Sequence, residues 1–244
     1  MNIIGEHLSK SFDADLQNLL NEFLRMGGMA EENLRDAVKA LVGSDSMLAE
    51  QVIKGDKLIN QAEQNVDDMV IKILAKRQPA ATDLRMIMAI SKANVDLERI
   101  GDEAKKIAKM ARRLALQGQA PLGYQEVQEL SEQVVEMLNT AIEAFARFDV
   151  TQAIEVLKID PEIDSYYKTA SRSLLTYITT AESQNEYIPK IIDIMWSLRA
   201  LERISAHASN IAEQAIYCIS GNDIRYQKQK AEKVEREMLE TPST

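Results

Sequence analysis

The side chains best placed to do chemistry in this chain are acids that recur four residues apart. Glu98 and Asp102 form one such pair, and Asp160 and Asp164 another. Asp56 is followed at the same spacing by Asn60, and Glu202 by Ala206. Residues four apart lie one above the other on a helix surface, so each pair presents its oxygens in one direction. Clustered carboxylates repel one another unless a proton or a cation intervenes. Oxygen ligands projecting from facing helices suit hard or borderline metals such as magnesium, manganese and iron. The candidate metal ligands are therefore Asp56, Glu98 and Asp102 in the first half, and Asp160, Asp164 and Glu202 in the second. A single acidic pair on a helix usually marks nothing more than a solvated face. Here the weight comes from repetition and from the sharing of acids between two helices.

The repetition runs through the whole chain. Leu97-Glu98-Arg99-Ile100 returns as Leu201-Glu202-Arg203-Ile204, an offset of 104 residues. Away from that stretch, Leu34, Ala37 and Ala40 fall on Leu138, Ala141 and Ala144, and Asp45 falls on Asp149. Val52, Lys54, Asp56 and Ile59 fall on Val156, Lys158, Asp160 and Ile163. No gap is needed between about Met29 and Leu116, so the register holds across three helices and marks a duplicated unit.

Helices must position these acids. Phe12, Leu16, Leu19, Phe23 and Met26 step by three and four, and Ala30, Leu34, Ala37 and Leu41 continue the seam. Gly27 and Gly28 interrupt it and mark a kink or a close helix contact. Gly43-Ser44-Asp45 reads as a stop followed by a cap. A second helix is predicted over 47–77, ended by Gln78-Pro79, and a third from a cap at Thr82 or Asp83 to about Leu116. The stretch Gln117–Gly123 reads as a linker. Three more helices follow, over about 124–147, 150–181 and 186–220. The expected fold is all-α: two tandem quasi-symmetric three-helix bundles over 1–120 and 121–224, then a charged tail over 225–244. Short connections make the second and third helices of each unit antiparallel neighbours, so their acidic rows face each other.

Composition limits the function classes. The chain has 244 residues, of which 45% are hydrophobic, with five Pro and nine Gly, as long helices require. Net charge is −9, which argues against nucleic acid as a partner. The single cysteine, Cys218, makes no internal disulfide and suits a reducing compartment. The first residues lack the apolar region of a signal peptide, and no apolar run reaches the ~20 residues that cross a bilayer. A cytoplasmic protein is expected, at a membrane only peripherally through partners.

Other residues carry blander readings. His207 lies about 140° round the helix from Glu202 and reads as an exposed or capping side chain. His7 reads as structural or idle. Arg99 and Arg203 read as ion-pair partners of acids on a neighbouring helix. Lys105, Lys106, Lys109, Arg112 and Arg113 form a basic run near a helix C-terminus, where positive charge suits the dipole; a solvated face is the expectation. Trp196, Tyr177 and Cys218 read as core. No nucleophile–base pair, glycine-rich phosphate loop, histidine cluster or Glu-x-x-His is present, so no catalytic machinery is visible and the expectation is a non-enzyme. The rival readings are a carboxylate-bridged metal enzyme and a metal-free helical scaffold.

Several strings together resemble the PhoU family. They are Leu97-Glu98-Arg99-Ile100-Gly101-Asp102 followed by Ile107-Ala108, and the second copy running from Leu201 through Asn210-Ile211-Ala212-Glu213. Met26-Gly27-Gly28-Met29, Lys76-Arg77-Gln78-Pro79 with Asp83-Leu84-Arg85, and Ala144-Phe145-Ala146-Arg147-Phe148-Asp149 add to it. The resemblance extends from about Phe12 to Asp223. It implies two three-helix bundles and a cytoplasmic negative regulator of the phosphate-starvation response. Such a regulator links the high-affinity phosphate ABC transporter, through its ATPase, to a sensor histidine kinase, and so limits phosphate uptake. It also implies multinuclear metal clusters, iron or zinc among them, held by Glu/Asp-x-x-x-Asp motifs. Glu98 with Asp102 and Asp160 with Asp164 match that motif in full. Asp56 and Glu202 match at the first position only, since Asn60 and Ala206 stand at the second. A homodimer is expected from the long amphipathic helices.

The ligand counts lead to one further expectation. Each half offers three matching carboxylates, but the first adds the Asn60 carbonyl and carries Glu63 and Asp67, where the second has Tyr167 and Ser171. By ligand number and charge the first half should hold a cation more tightly.

Overall fold

The computed structural model describes residues 9–180, 185–221 and 223–224. His7 and the charged tail 225–244 lie outside them. Among the described residues the chain forms helices only, six in all. They are α1 (Lys10–Val42), α2 (Ser46–Arg77), α3 (Ala81–Gln117), α4 (Tyr124–Arg147), α5 (Val150–Thr180) and α6 (Ile188–Ser220). The all-α fold of two three-helix repeats is thus as the sequence requires.

Local chemistry sets the boundaries. Asp45 Oδ1 accepts hydrogen bonds from the backbone N–H groups of Met47 at 3.0 Å and Leu48 at 2.9 Å, capping α2 as expected. Gln78 adopts the left-handed conformation at the end of α2, and Pro79 follows it. The start of α3 differs from expectation. Its N-cap is Ala80, with no side-chain cap, and Thr82 and Asp83 lie within the first turn.

Each helix of the first repeat has its duplicate in the second, and two of the three pairs touch. α1 packs on α4, and α3 packs on α6 in the most extensive helix contact of the fold. α2 and α5 pack only within their own repeats. A quasi-two-fold axis therefore runs between the central helices, with α2 and α5 on the flanks. One continuous apolar core joins the repeats. Phe23 of α1 and Phe145 of α4 meet across it with ring centroids 4.8 Å apart. Gly27 lets α1 and α4 approach, because a Cβ there would lie 3.1 Å from Ile142 Cδ1. Gly28 faces open space.

One expectation about the core needs correction. Trp196 is 58% exposed on α6 rather than buried. The stretch 117–123 joins α3 to α4, as the linker reading expects, and two of its residues are held in place. Ala120 is buried, and its N–H donates to the Tyr124 hydroxyl at 3.1 Å. Gly123, at φ +100°, packs so closely on Ile194 that any Cβ would lie 2.5 Å from it.

Candidate metal centre

In the first repeat α2 and α3 bring Asp56, Glu98 and Asp102 to one flank. Asp56 is buried at 2% exposure, and its Oδ2 accepts a 2.6 Å hydrogen bond from Lys105 Nζ. The same ammonium stands 3.6 Å from Asp102 Oδ1. Lys105, read from sequence as part of a solvated basic run, thus turns inward as the resident cation of the acidic row. Its pKa is raised, first by the hydrogen bond to Asp56 and further by the charges of Asp56 and Asp102. Spacing carried a signal for it, since a lysine three residues after Asp102 lies on the same helix face.

The remaining acids stay crowded. Burial pushes the Glu98 carboxyl above its usual range, and the nearby Asp102 and Asp56 carboxylates push it further. Burial also raises Glu63, with added repulsion from Glu98, Asp67 and Asp102. Glu63 therefore belongs to the row. Asp67 is turned toward Asn94, whose Nδ2 donates to it at 3.1 Å.

In the second repeat α5 and α6 place Asp160, Asp164 and Glu202 at the matching position. Burial raises the Glu202 carboxyl; the Asp164 and Asp160 charges add to the rise, while Arg199 opposes it. Arg199 Nη1 lies 2.8 Å from Glu202 Oε2, yet that oxygen makes no hydrogen bond. The ion pair is real in distance but poorly aligned. Asp164 Oδ2 accepts from Lys168 at 2.6 Å on the surface. Position 209, which matches Lys105, is a serine whose buried hydroxyl has no hydrogen-bond partner. The second row lacks an inward lysine at that place.

The donor chemistry suits a hard cation. Asp56 Oδ1 and Asn60 Oδ1 are both buried and without a hydrogen-bond partner, a costly state that an added cation would relieve. Among the described residues, no three Asp, Glu, His or Cys side chains already converge closely enough to hold an ion. In the first repeat the Lys105 ammonium already pairs with Asp56 and stands near Asp102.

Sequence reasoning missed the polar links between the repeats. His207 is not an exposed or capping residue: its Nδ1 lies 2.8 Å from Asp96 Oδ1, which also accepts from Asn210 at 2.9 Å. Glu103 is buried between Lys106 at 2.9 Å and Arg203 at 3.1 Å. The ion pair expected of Arg203 is therefore found, and it spans the repeats. Burial raises Asp193, against the pull of Arg113 at 2.8 Å. Cys218 is buried as expected, which pushes its thiol up to about 12.

A duplicated three-helix unit fused across α1/α4 and α3/α6, with an acidic row on each flank, defines a class of tandem three-helix-bundle proteins. The PhoU domain model matches twice, at residues 23–111 and 127–215, the same offset of 104 residues. The phosphate-specific transport system accessory protein PhoU homolog of Pseudomonas aeruginosa is 47% identical over 91% of each chain. The phosphate-specific transport system accessory protein PhoU of Escherichia coli is 37% identical over 91% of each chain. The crystal structure of PhoU from Pseudomonas aeruginosa superposes with a TM-score of 0.83, covering 86% of this chain and all of that one. That of the phosphate transport system regulatory protein PhoU from Streptococcus pneumoniae gives 0.79 at 28% identity, covering 87% and 99%. The chain belongs to the PhoU family.

Proposed function

We propose that this chain is a non-enzymatic, cytoplasmic negative regulator of the phosphate-starvation response. It couples the high-affinity phosphate ABC transporter, through the transporter's ATPase, to a sensor histidine kinase, and it limits phosphate uptake. The observation that carries this reading is near end-to-end similarity to relatives named as accessory proteins of the phosphate-specific transport system. The visible chemistry is compatible with it. The acids lie in rows without a nucleophile–base pair, an arrangement suited to binding an ion rather than to turnover.

In this reading Asp56, Glu98 and Asp102 hold a cation in the first repeat, with Asn60 and Glu63 beside them. Asp160, Asp164 and Glu202 hold one in the second. Iron, zinc, manganese or magnesium would neutralise the crowded carboxylates and fix each flank helix against its central helix. In the first repeat the cation competes with Lys105 for Asp56. Relatives are named for a transport system, which supports the transporter as a partner; in this reading a homodimer meets its ATPase and the kinase.

Co-purification from phosphate-replete cells tests the partners. The tagged chain should bring down the transporter ATPase and the sensor kinase. Recovery of neither, with the chain itself folded and abundant, would overturn the proposal.

A further inference from the structure

We propose that the outer face shared by the C-terminal end of α3 and the N-terminal half of α6 docks directly onto an anionic lipid surface. The inference rests on surface chemistry and does not depend on the regulatory partners.

Three large apolar side chains project from this end of the molecule. Trp196 is 58% exposed, Ile192 41% and Leu116 75%. Trp196 and Ile192 share an open groove of about 490 Å³ with Met110 and Arg113 of α3. Cations surround them: Lys106, Lys109 and Arg113 on α3, Arg199 and Arg203 on α6. The acids that meet these cations lie underneath. Glu103 and Asp193 are nearly buried, and Glu202 is largely covered, while the side chains of Lys106, Arg113, Arg199 and Arg203 remain between 44% and 48% exposed. The outermost layer is therefore positive, on a chain whose net charge is −9. Clusters of basic residues beside amphipathic aromatics are the pattern that anionic headgroups attract.

The geometry favours lipid over the other occupants. A partner helix would seat its anchors in enclosed apolar pockets, whereas this groove is open and Leu116 protrudes outside it. A second copy packed by two-fold symmetry would set this cationic layer against itself. No described helix is long and apolar enough to cross a membrane, so contact is confined to the surface.

The chain has one tryptophan, so its emission reports this face alone. Full-length protein should sediment with phosphatidylglycerol-rich vesicles at low salt but not with pure phosphatidylcholine vesicles. Trp196 emission should shift to the blue on binding, and raised salt should reverse both effects. Lys109→Glu and Trp196→Ala lie at exposed positions; the first should weaken sedimentation roughly fivefold or more, the effect of one basic residue near an anionic surface, and the second should weaken it by removing the inserting ring. Unchanged helical circular dichroism identifies a folded variant. Sedimentation that is absent, indifferent to lipid charge or unaltered by both variants would overturn the proposal. So would a blue shift that follows protein concentration without lipid, which would make the face a self-association surface, or one that appears only with an acidic amphipathic peptide.

Discussion

Lys105 reaches across from α3 to place its ammonium 2.6 Å from the buried Asp56 carboxylate of α2. This contact fills the first acidic row with a cation that belongs to the chain. Removing it leaves Asp56 buried and unpaired, which costs about 3–5 kcal/mol for a fully buried pair. Lys105 keeps 26% of its side chain exposed, so Lys105→Ala should cost less, about 2–3 kcal/mol in denaturant unfolding. Asp56→Asn with Lys105→Met should recover most of that loss. A single variant as stable as wild type would show that the pair is not holding α2 to α3.

The same lysine competes with any metal. Lys168 meets Asp164 on the open surface, with 65% of its side chain exposed, and its release is cheap. Lys105 is anchored more deeply. Calorimetric titration with manganese should therefore show Lys105→Ala tightening the first site by about an order of magnitude, and Lys168→Ala changing the second much less. Glu98→Ala and Glu202→Ala assign the two sites. Equal responses to the two lysine changes would remove Lys105 from the account.

Glu98 supplies a pH test. Burial and the Asp102 and Asp56 charges raise its folded-state pKa, so the folded chain favours the protonated carboxyl. Stability of the metal-free chain should rise as pH falls from 7 through that raised pKa, then stop rising at the ordinary carboxylate pKa of ~4.3. Glu98→Gln fixes the neutral form. It should raise the melting temperature at pH 7 and flatten this part of the pH profile. A variant that melts lower at pH 7 would contradict the repulsion described.

Two glycines should respond in opposite ways. A Cβ at Gly101 would lie 2.9 Å from Ile59 Cδ1 and 3.2 Å from its Cγ2, where α3 crosses α2. Gly101→Ala should cost about 1–3 kcal/mol through overpacking, and Ile59→Val in the same chain should relieve part of it. Gly28 has nothing within 4 Å, so Gly28→Ala should stabilise α1 by about 0.5–1 kcal/mol. Thermal melts of the three variants check both signs.

Most of the fold was legible because helical periodicity and the duplication are local or linear signals. The predicted starts and stops lie within a few residues of those observed, and Asp45 caps α2 as its residue type requires. The start of α3 was misplaced because Thr82 and Asp83 are good caps that fall two and three residues after the observed N-cap, Ala80. The candidate ligands share their flanks, as i, i+4 spacing on neighbouring helices demands. Contacts between the repeats were not legible. Periodicity identifies a buried face but not which helix covers it, so the α3/α6 seam and its His207–Asp96 link stayed hidden. Trp196 failed for the same reason: its type favours burial, but it sits on the outer side of that seam. The linker at 117–123 was legible from composition, but not the close packing of Gly123 on Ile194, a residue distant in sequence.

The regulatory account faces its most direct test in a clean deletion of this gene, with a phosphate-starvation reporter measured in phosphate-rich medium. The account predicts that the reporter switches on in the deletion and is silenced again when the wild-type chain is restored. Reporter expression that stays low in the deletion would contradict it.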